Sequence, residues 1–294
     1  ILTVGTNALT FADDIQSGTG VAAGIITLDI GNTDANTTTV FQGNITQTNG
    51  AAVVITAGDN SNTNTHALTV DSANDENLVL NATIDAGGAA DTVTLDVANS
   101  SGDAGNSITF SGAVGASSQL DVLHIGSTAH DVTVVFSAAA DAAAIVIGET
   151  DGASATVTFN DVIDASTIVL GNGTATNIDA IVVNFAVAAD KTITGAITGT
   201  ANDTATINIT DTDNGTKDDA VTFASAVGAS GNSIIEAINI GSSTLSGTAD
   251  FNAAVVATTI TITAGDATSN GEDSTMIASH DVTDSVIGDG PGRR

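Results

Sequence analysis

The sequence predicts an all-β chain wound as a right-handed parallel β-solenoid, a β-helix of about nine coils. Three observations predict it: short segments that recur along nearly the whole chain, strict alternation of apolar and polar residues inside them, and a composition of β-branched residues and turn formers. Of 294 residues, 42% are hydrophobic, yet Trp, Tyr and Cys are absent and aromatics are limited to 8 Phe. A core built from them is therefore mostly Val, Ile, Leu and Ala. Pro occurs once against 31 Gly, with Asn, Asp, Thr and Ser abundant, which places many tight turns between strands.

The recurrence is clearest around the phenylalanines. Phe11 (LTFADDI), Phe41 (TVFQGNI), Phe110 (ITFSGAV), Phe136 (VVFSAAA), Phe159 (VTFNDVI), Phe185 (VNFAVAA), Phe223 (VTFASAV) and Phe251 (ADFNAAV) share one context, and Leu80 (LVLNATI) takes the same place. A second alternating run follows each, among them GIITLDIGN, DTVTLDVAN, TIVLGN and EAINIGS. The spacing is loose, and the gaps from Phe41 to Leu80 and from Phe185 to Phe223 are longer than the rest. Two longer echoes make coincidence untenable. FSGAVGASSQLDVLHIGST from Phe110 returns as FASAVGASGNSIIEAINIGSST from Phe223, and ITAGDNSN from Ile55 returns as ITAGDATSN from Ile262.

Within the runs Ile26, Leu28 and Ile30 oppose Thr27 and Asp29, and Val93, Leu95 and Val97 oppose Thr94 and Asp96. One face is buried and the other is wet. A unit this short cannot bury its apolar face alone, but stacking on its neighbours makes a continuous interior lined by inward Phe and aliphatic ladders. Right-handedness follows from the general preference of parallel crossovers. The alternative is a string of tandem immunoglobulin-like β-sandwiches, which need about 100 residues each and normally a core Trp or Tyr. One solenoid domain is expected over residues 1–285, with a flexible tail over 286–294 that holds the single Pro, Arg293 and Arg294.

Charge narrows the partners. Four basic against 34 acidic residues give a formal net charge of −30, a field that repels phosphate backbones and anionic bilayers and attracts cations. Neither nucleic acid nor membrane insertion is expected, and no apolar run approaches the length of a spanning helix. ILTVGTNALTF at the start has neither an initiator Met nor a basic leader, so a processed chain or a fragment is expected. Glu occurs only at Glu76, Glu149, Glu236 and Glu272; the other acids are Asp, whose short reach suits turns and oxygen ligation.

The sharpest local motif is DTDNGTKDD. Asp211, Asp213, Asn214, Asp218 and Asp219 bring hard oxygen ligands onto one turn, as calcium requires, although Gly215 comes a place early for an EF-hand loop and Lys217 intrudes. The ITAGD copies supply weaker calcium candidates at Asp59 and at Asp266, Glu272 and Asp273. DAGGAADT near Asp91 only approaches the GGxGxD pattern of calcium β-rolls. His66, His124, His130 and His280 show no zinc spacing, and His124, replaced by Asn239 in the related copy, reads as an outward polar position. No nucleophile elbow, phosphate loop or dinucleotide fingerprint occurs. With Asp this abundant, carboxylate pairs arise by chance, and no enzyme activity is expected.

In their Thr, Ala, Asn, Gly and Asp bias, units such as VTFNDVIDASTIVLGNGTATN and KTITGAITGT resemble the repeat regions of bacterial surface-layer proteins and autotransporter passengers. The similarity covers nearly the whole chain and is one of unit form. It implies a secreted bacterial protein of the cell surface that depends on calcium, assembles with itself and catalyses nothing. The expected function is therefore a structural subunit of a surface layer, sheath or filament, its partners being further copies of itself and divalent cations. An adhesin passenger, whose rod spaces a binding tip from the cell, is the alternative; a carbohydrate-active β-helix enzyme comes third.

Overall fold

The computed structural model describes residues 2–4, 8–16, 25–31, 36–47, 52–59, 63–73, 77–88, 90–101, 106–128, 130–148, 153–171, 180–200, 204–212, 219–231, 234–263 and 274–289. These residues form strands, turns and bends, and every strand pairing is parallel. Parallel neighbours one turn apart are what a solenoid demands. Sandwich domains are built from antiparallel pairs and are excluded.

Each turn contributes to three ladders. Leu28, Ile55, Ile84, Val114, Ala140, Ile163, Ile193, Phe223 and Phe251 pair in succession on face A. Leu68, Leu95, Leu123, Ile145, Ile168, Ile197, Val227 and Val255 do so on face B. Face C runs through Ile45, Leu80, Phe110, Phe136, Phe159, Phe185, Ile209 and Ile240. Long strands turn the corners between faces. Ala140–Ile147 and Ile163–Leu170 run from A into B, and Val255–Thr263 runs from B into C. Their continuity joins the ladders into a 12-stranded and an 11-stranded sheet, with a 4-stranded sheet forming the first part of face A. The eight or nine successive positions that each ladder traces stand close to the nine coils that the recurring segments imply.

Alternation explains why these residues fold this way. Ala155–Phe159 buries Ala155, Val157 and Phe159 and leaves Thr156 and Thr158 half-buried outside; Thr204–Asp211 repeats the pattern with Ala205, Ile207 and Ile209. The inward residues form one core cluster from Leu28 to Ile260. A turn can be as short as the 22 residues between Glu236 and Thr258 or as long as the 35 between Asn44 and Val79, the difference being taken up in the connections.

The phenylalanines occupy all three faces. Phe11 and Phe41 stack at 5.3 Å on face B, where Val70 succeeds them. On face C, Phe110, Phe136, Phe159 and Phe185 stack at 4.8, 5.1 and 6.1 Å. Phe185 then meets Phe223 edge-on at 5.4 Å, and Phe223 stacks on Phe251 at 4.9 Å on face A. The two long gaps in the sequence are the places where the aromatic position moves to another face: Phe41 pairs with Val70 rather than Leu80, and Phe185 with Ile209 rather than Phe223.

Candidate functional site

Most described polar side chains with resolved partners hold one turn to the next. At the corners an Asp or Asn carboxyl or amide oxygen accepts the backbone N–H of a residue one turn on. Asp14 accepts from Asn44 at 2.7 Å, Asn36 from Thr65 at 2.9 Å, Asn44 from Val79 at 2.8 Å and Asn77 from Ser107 at 2.8 Å. Asp131 accepts from Ser154 at 3.0 Å and Asp190 from Ala220 at 2.9 Å. The short side chain reaches the strand spacing of about 4.8 Å where Glu would overshoot, which accounts for the excess of Asp over Glu.

Of the calcium candidates, the structure brings Asp211 and Asp219 together. The Asp219 N–H donates to the Asp211 carboxylate at 3.3 Å, and Asp211 is only 3% exposed. Asp213, Asn214 and Asp218 lie outside the described residues, as do Asp266, Glu272 and Asp273. Asp59 sits at a different corner, where its N–H donates to Asp91 at 2.6 Å. Among the described residues no group of three His, Asp or Glu side chains is arranged to hold a metal.

The most enclosed polar cluster is one the motifs did not reveal. The Thr37 hydroxyl lies 2.9 Å from His66 Nδ1, and His66 Nε2 lies 3.4 Å from Asp91 Oδ2, with both the His66 and Asp91 side chains fully buried. Asp91 also accepts the Asn64 N–H at 2.9 Å. Gly31 makes the pocket possible: at φ +80° it adopts a backbone that other residues avoid, and a Cβ there would lie 2.2 Å from His66 Nδ1. The order hydroxyl, imidazole, carboxylate is that of a nucleophile relay, but Thr37 is 4% exposed and turned toward the core. The signal was available in THALTVD, since alternation places His66 on the inward side with Leu68 and Val70.

Two further groups lie outside the core. His124 is half-buried on face B, its Nδ1 3.2 Å from Asp96 and its Nε2 3.1 Å from the Gly148 carbonyl oxygen. Asp141 and Asp164 are neighbours on adjacent rungs of face A. Burial pushes the Asp141 carboxyl up from its ordinary value, and the charges of Asp164 and Asp85 add to it against a backbone hydrogen bond that lowers it. Asp161 is the opposite case: burial raises it, but the Lys191 hydrogen bond at 2.6 Å, the Val162 N–H and the Lys191 charge outweigh burial and hold it below the usual range.

On face C the outward residues form an amide ladder. Asn239 Nδ2 donates to Asn208 Oδ1 at 2.9 Å, Asn208 Nδ2 to Asn184 Oδ1 at 2.8 Å, and Asn184 Nδ2 to Thr158 Oγ1 at 3.2 Å. Beside it runs an open groove of about 430 Å³, floored by Thr158, Asn184, Asn208 and Thr210 and walled by Ser242 and Leu245.

Fold and polar network together define a parallel β-solenoid repeat protein. No protein-family profile, curated protein or solved structure matches the chain.

Proposed function

We propose that the chain is an extracellular structural protein of the cell surface, a solenoid subunit that assembles with copies of itself into a layer, sheath or filament stabilised by calcium. The observation that carries this reading is the uninterrupted rung. A further turn is added by the same backbone pairing that joins any two turns, so a second copy presents what the next turn would. Among the described residues, 2–4 pair with 26–30 alone and 282–289 with 255–263 alone. Unpaired parallel edges of this kind are templates for strand addition, and a contact between unlike ends propagates.

Electrostatics sets the condition. Subunits of net charge −30 repel one another, and divalent cations between carboxylate-bearing faces offset that repulsion. The test is negative-stain microscopy and sedimentation of the purified chain with calcium and after EGTA at low salt. Polymers that loosen on chelation are expected. Single rods under every condition defeat the assembly reading in favour of an adhesin spacer, and polymers indifferent to EGTA defeat the calcium part alone.

A further inference from the structure

We propose that the face C groove binds a neutral glycan chain, with the Asn184 and Asn208 amides as its recognition elements. The floor comes from outward positions of successive rungs: Thr158, Asn184, Asn208 and Asn239 are direct Cα partners, so their side chains recur at the strand spacing of about 4.8 Å. In the ladder each of Asn184 and Asn208 uses one of its two N–H bonds and one carbonyl lone pair. An amide offers two of each, so the Asn184 and Asn208 rungs each keep a donor and an acceptor for a ligand, and the ladder fixes which way they point. A donor beside an acceptor is the complement of two neighbouring sugar hydroxyls. Two such pairs, on adjacent rungs, suit a ligand that repeats hydroxyl pairs along an extended chain.

The walls support the same class. Ser242 N–H donates to the Leu245 carbonyl at 2.7 Å and Leu245 N–H to Ser242 Oγ at 2.9 Å, which sets the loop beside the floor before any ligand arrives. Leu245, Ala186 and the threonine methyls give the groove apolar patches for the C–H faces of a sugar ring. Among the described residues that line it none is charged or aromatic, so these offer little to a phosphate, a metal ion or a stacking base. Peptides that bind sheets usually add to an unpaired edge, and this floor is the face of strands already paired on both sides. A volume of about 430 Å³ lies within the range of small-molecule sites and holds a few sugar units of a longer chain.

The experiment titrates the full chain with cellohexaose, and with polygalacturonate as an anionic counterpart, by calorimetry and by retardation in gels containing hydroxyethyl cellulose. Binding of cellohexaose, no binding of polygalacturonate, and losses of about tenfold for Asn208→Ala and Leu245→Ala are expected, one hydrogen bond or wall contact being worth that much. Leu245→Ala leaves the ladder intact, so it reports on the groove even where Asn208→Ala perturbs folding, and Thr94→Ala on face B serves as the unaffected control. Absence of cellohexaose binding by the unmodified chain, preference for polygalacturonate, or equal weakening by Thr94→Ala overturns the assignment. Assembly is scored separately by sedimentation, so the outcome here is independent of that reading.

Discussion

Truncating Phe159 to alanine tests whether the stacked interior is one cooperative core. Its ring is 1% exposed and lies between Phe136 at 5.1 Å and Phe185 at 6.1 Å. Deleting a fully buried Phe costs about 3–5 kcal/mol, and a stacked pair is worth about 0.5–1.5 kcal/mol beyond its area. With a neighbour lost on both sides, Phe159→Ala belongs at the upper end, about 4–5 kcal/mol. Phe11 is half-buried and has one ring partner, Phe41 at 5.3 Å, so Phe11→Ala is expected to cost about half as much. Urea denaturation followed by far-ultraviolet circular dichroism measures both, since the chain has no Trp or Tyr to report by fluorescence. A loss at Phe11 equal to or larger than that at Phe159 would refute the reasoning, because it would mean that the middle rungs do not share their packing with those on either side.

Other expectations follow from single contacts. Gly31→Ala should lower the melting temperature clearly more than Gly231→Ala. Both glycines have positive φ, +80° and +89°, but a Cβ at Gly31 strikes His66 at 2.2 Å whereas nothing lies within 4 Å at Gly231; equal losses would mean that backbone strain alone matters. Asp91→Ala leaves a buried imidazole and the Asp59 and Asn64 N–H groups without their acceptor, and should cost about 3–5 kcal/mol in chemical denaturation; a loss below 1 kcal/mol would show that the carboxylate holds nothing. Asp141 takes up its proton more readily in the folded chain than in the unfolded one. Its ionised form therefore opposes folding at neutral pH, and that opposition fades as pH falls through the folded-state value toward the ordinary 3.8. Asp141→Asn should stabilise the chain at pH 7 and lose the advantage in acid; melting curves against pH that stay parallel for the two proteins would contradict this.

The sequence made the architecture readable because period-2 alternation and recurrence act at every rung. Ile26, Leu28 and Ile30 against Thr27 and Asp29 state which side faces in, and the structure gives them a parallel neighbour on each side. Which of three faces a segment belongs to was not readable, since each face offers an inward position of the same size and polarity. Phe223 therefore looks like Phe185 in sequence while packing on another face, and only the longer gap between them marks the change. The role of His66 leaves no mark in histidine spacing, because its partners are a threonine in the preceding turn and a carboxylate in the following one. The corner acids were legible as turn residues, but their acceptor role depends on a backbone N–H that lies a full turn away and leaves no mark in the local sequence.

The corner caps also bear on why the chain is so acidic. Asn36, Asn44 and Asn77 accept a backbone N–H from the next turn in the same manner as Asp14, Asp131 and Asp190, with distances of 2.8–2.9 Å for the amides and 2.7–3.0 Å for the carboxylates. Amide and carboxylate thus perform one structural task, and the fold does not dictate the choice between them. A charged acceptor makes the stronger individual bond, but each added carboxylate also raises repulsion within a chain that has four basic residues to balance 34 acids. Replacing Asp14, Asp131 and Asp190 together by Asn should therefore preserve the solenoid while removing three charges. If the acidity serves to keep subunits apart until cations join them, the triple variant will assemble at lower calcium than the unmodified chain. An unchanged calcium requirement would detach the charge from assembly and leave the acids with their caps alone.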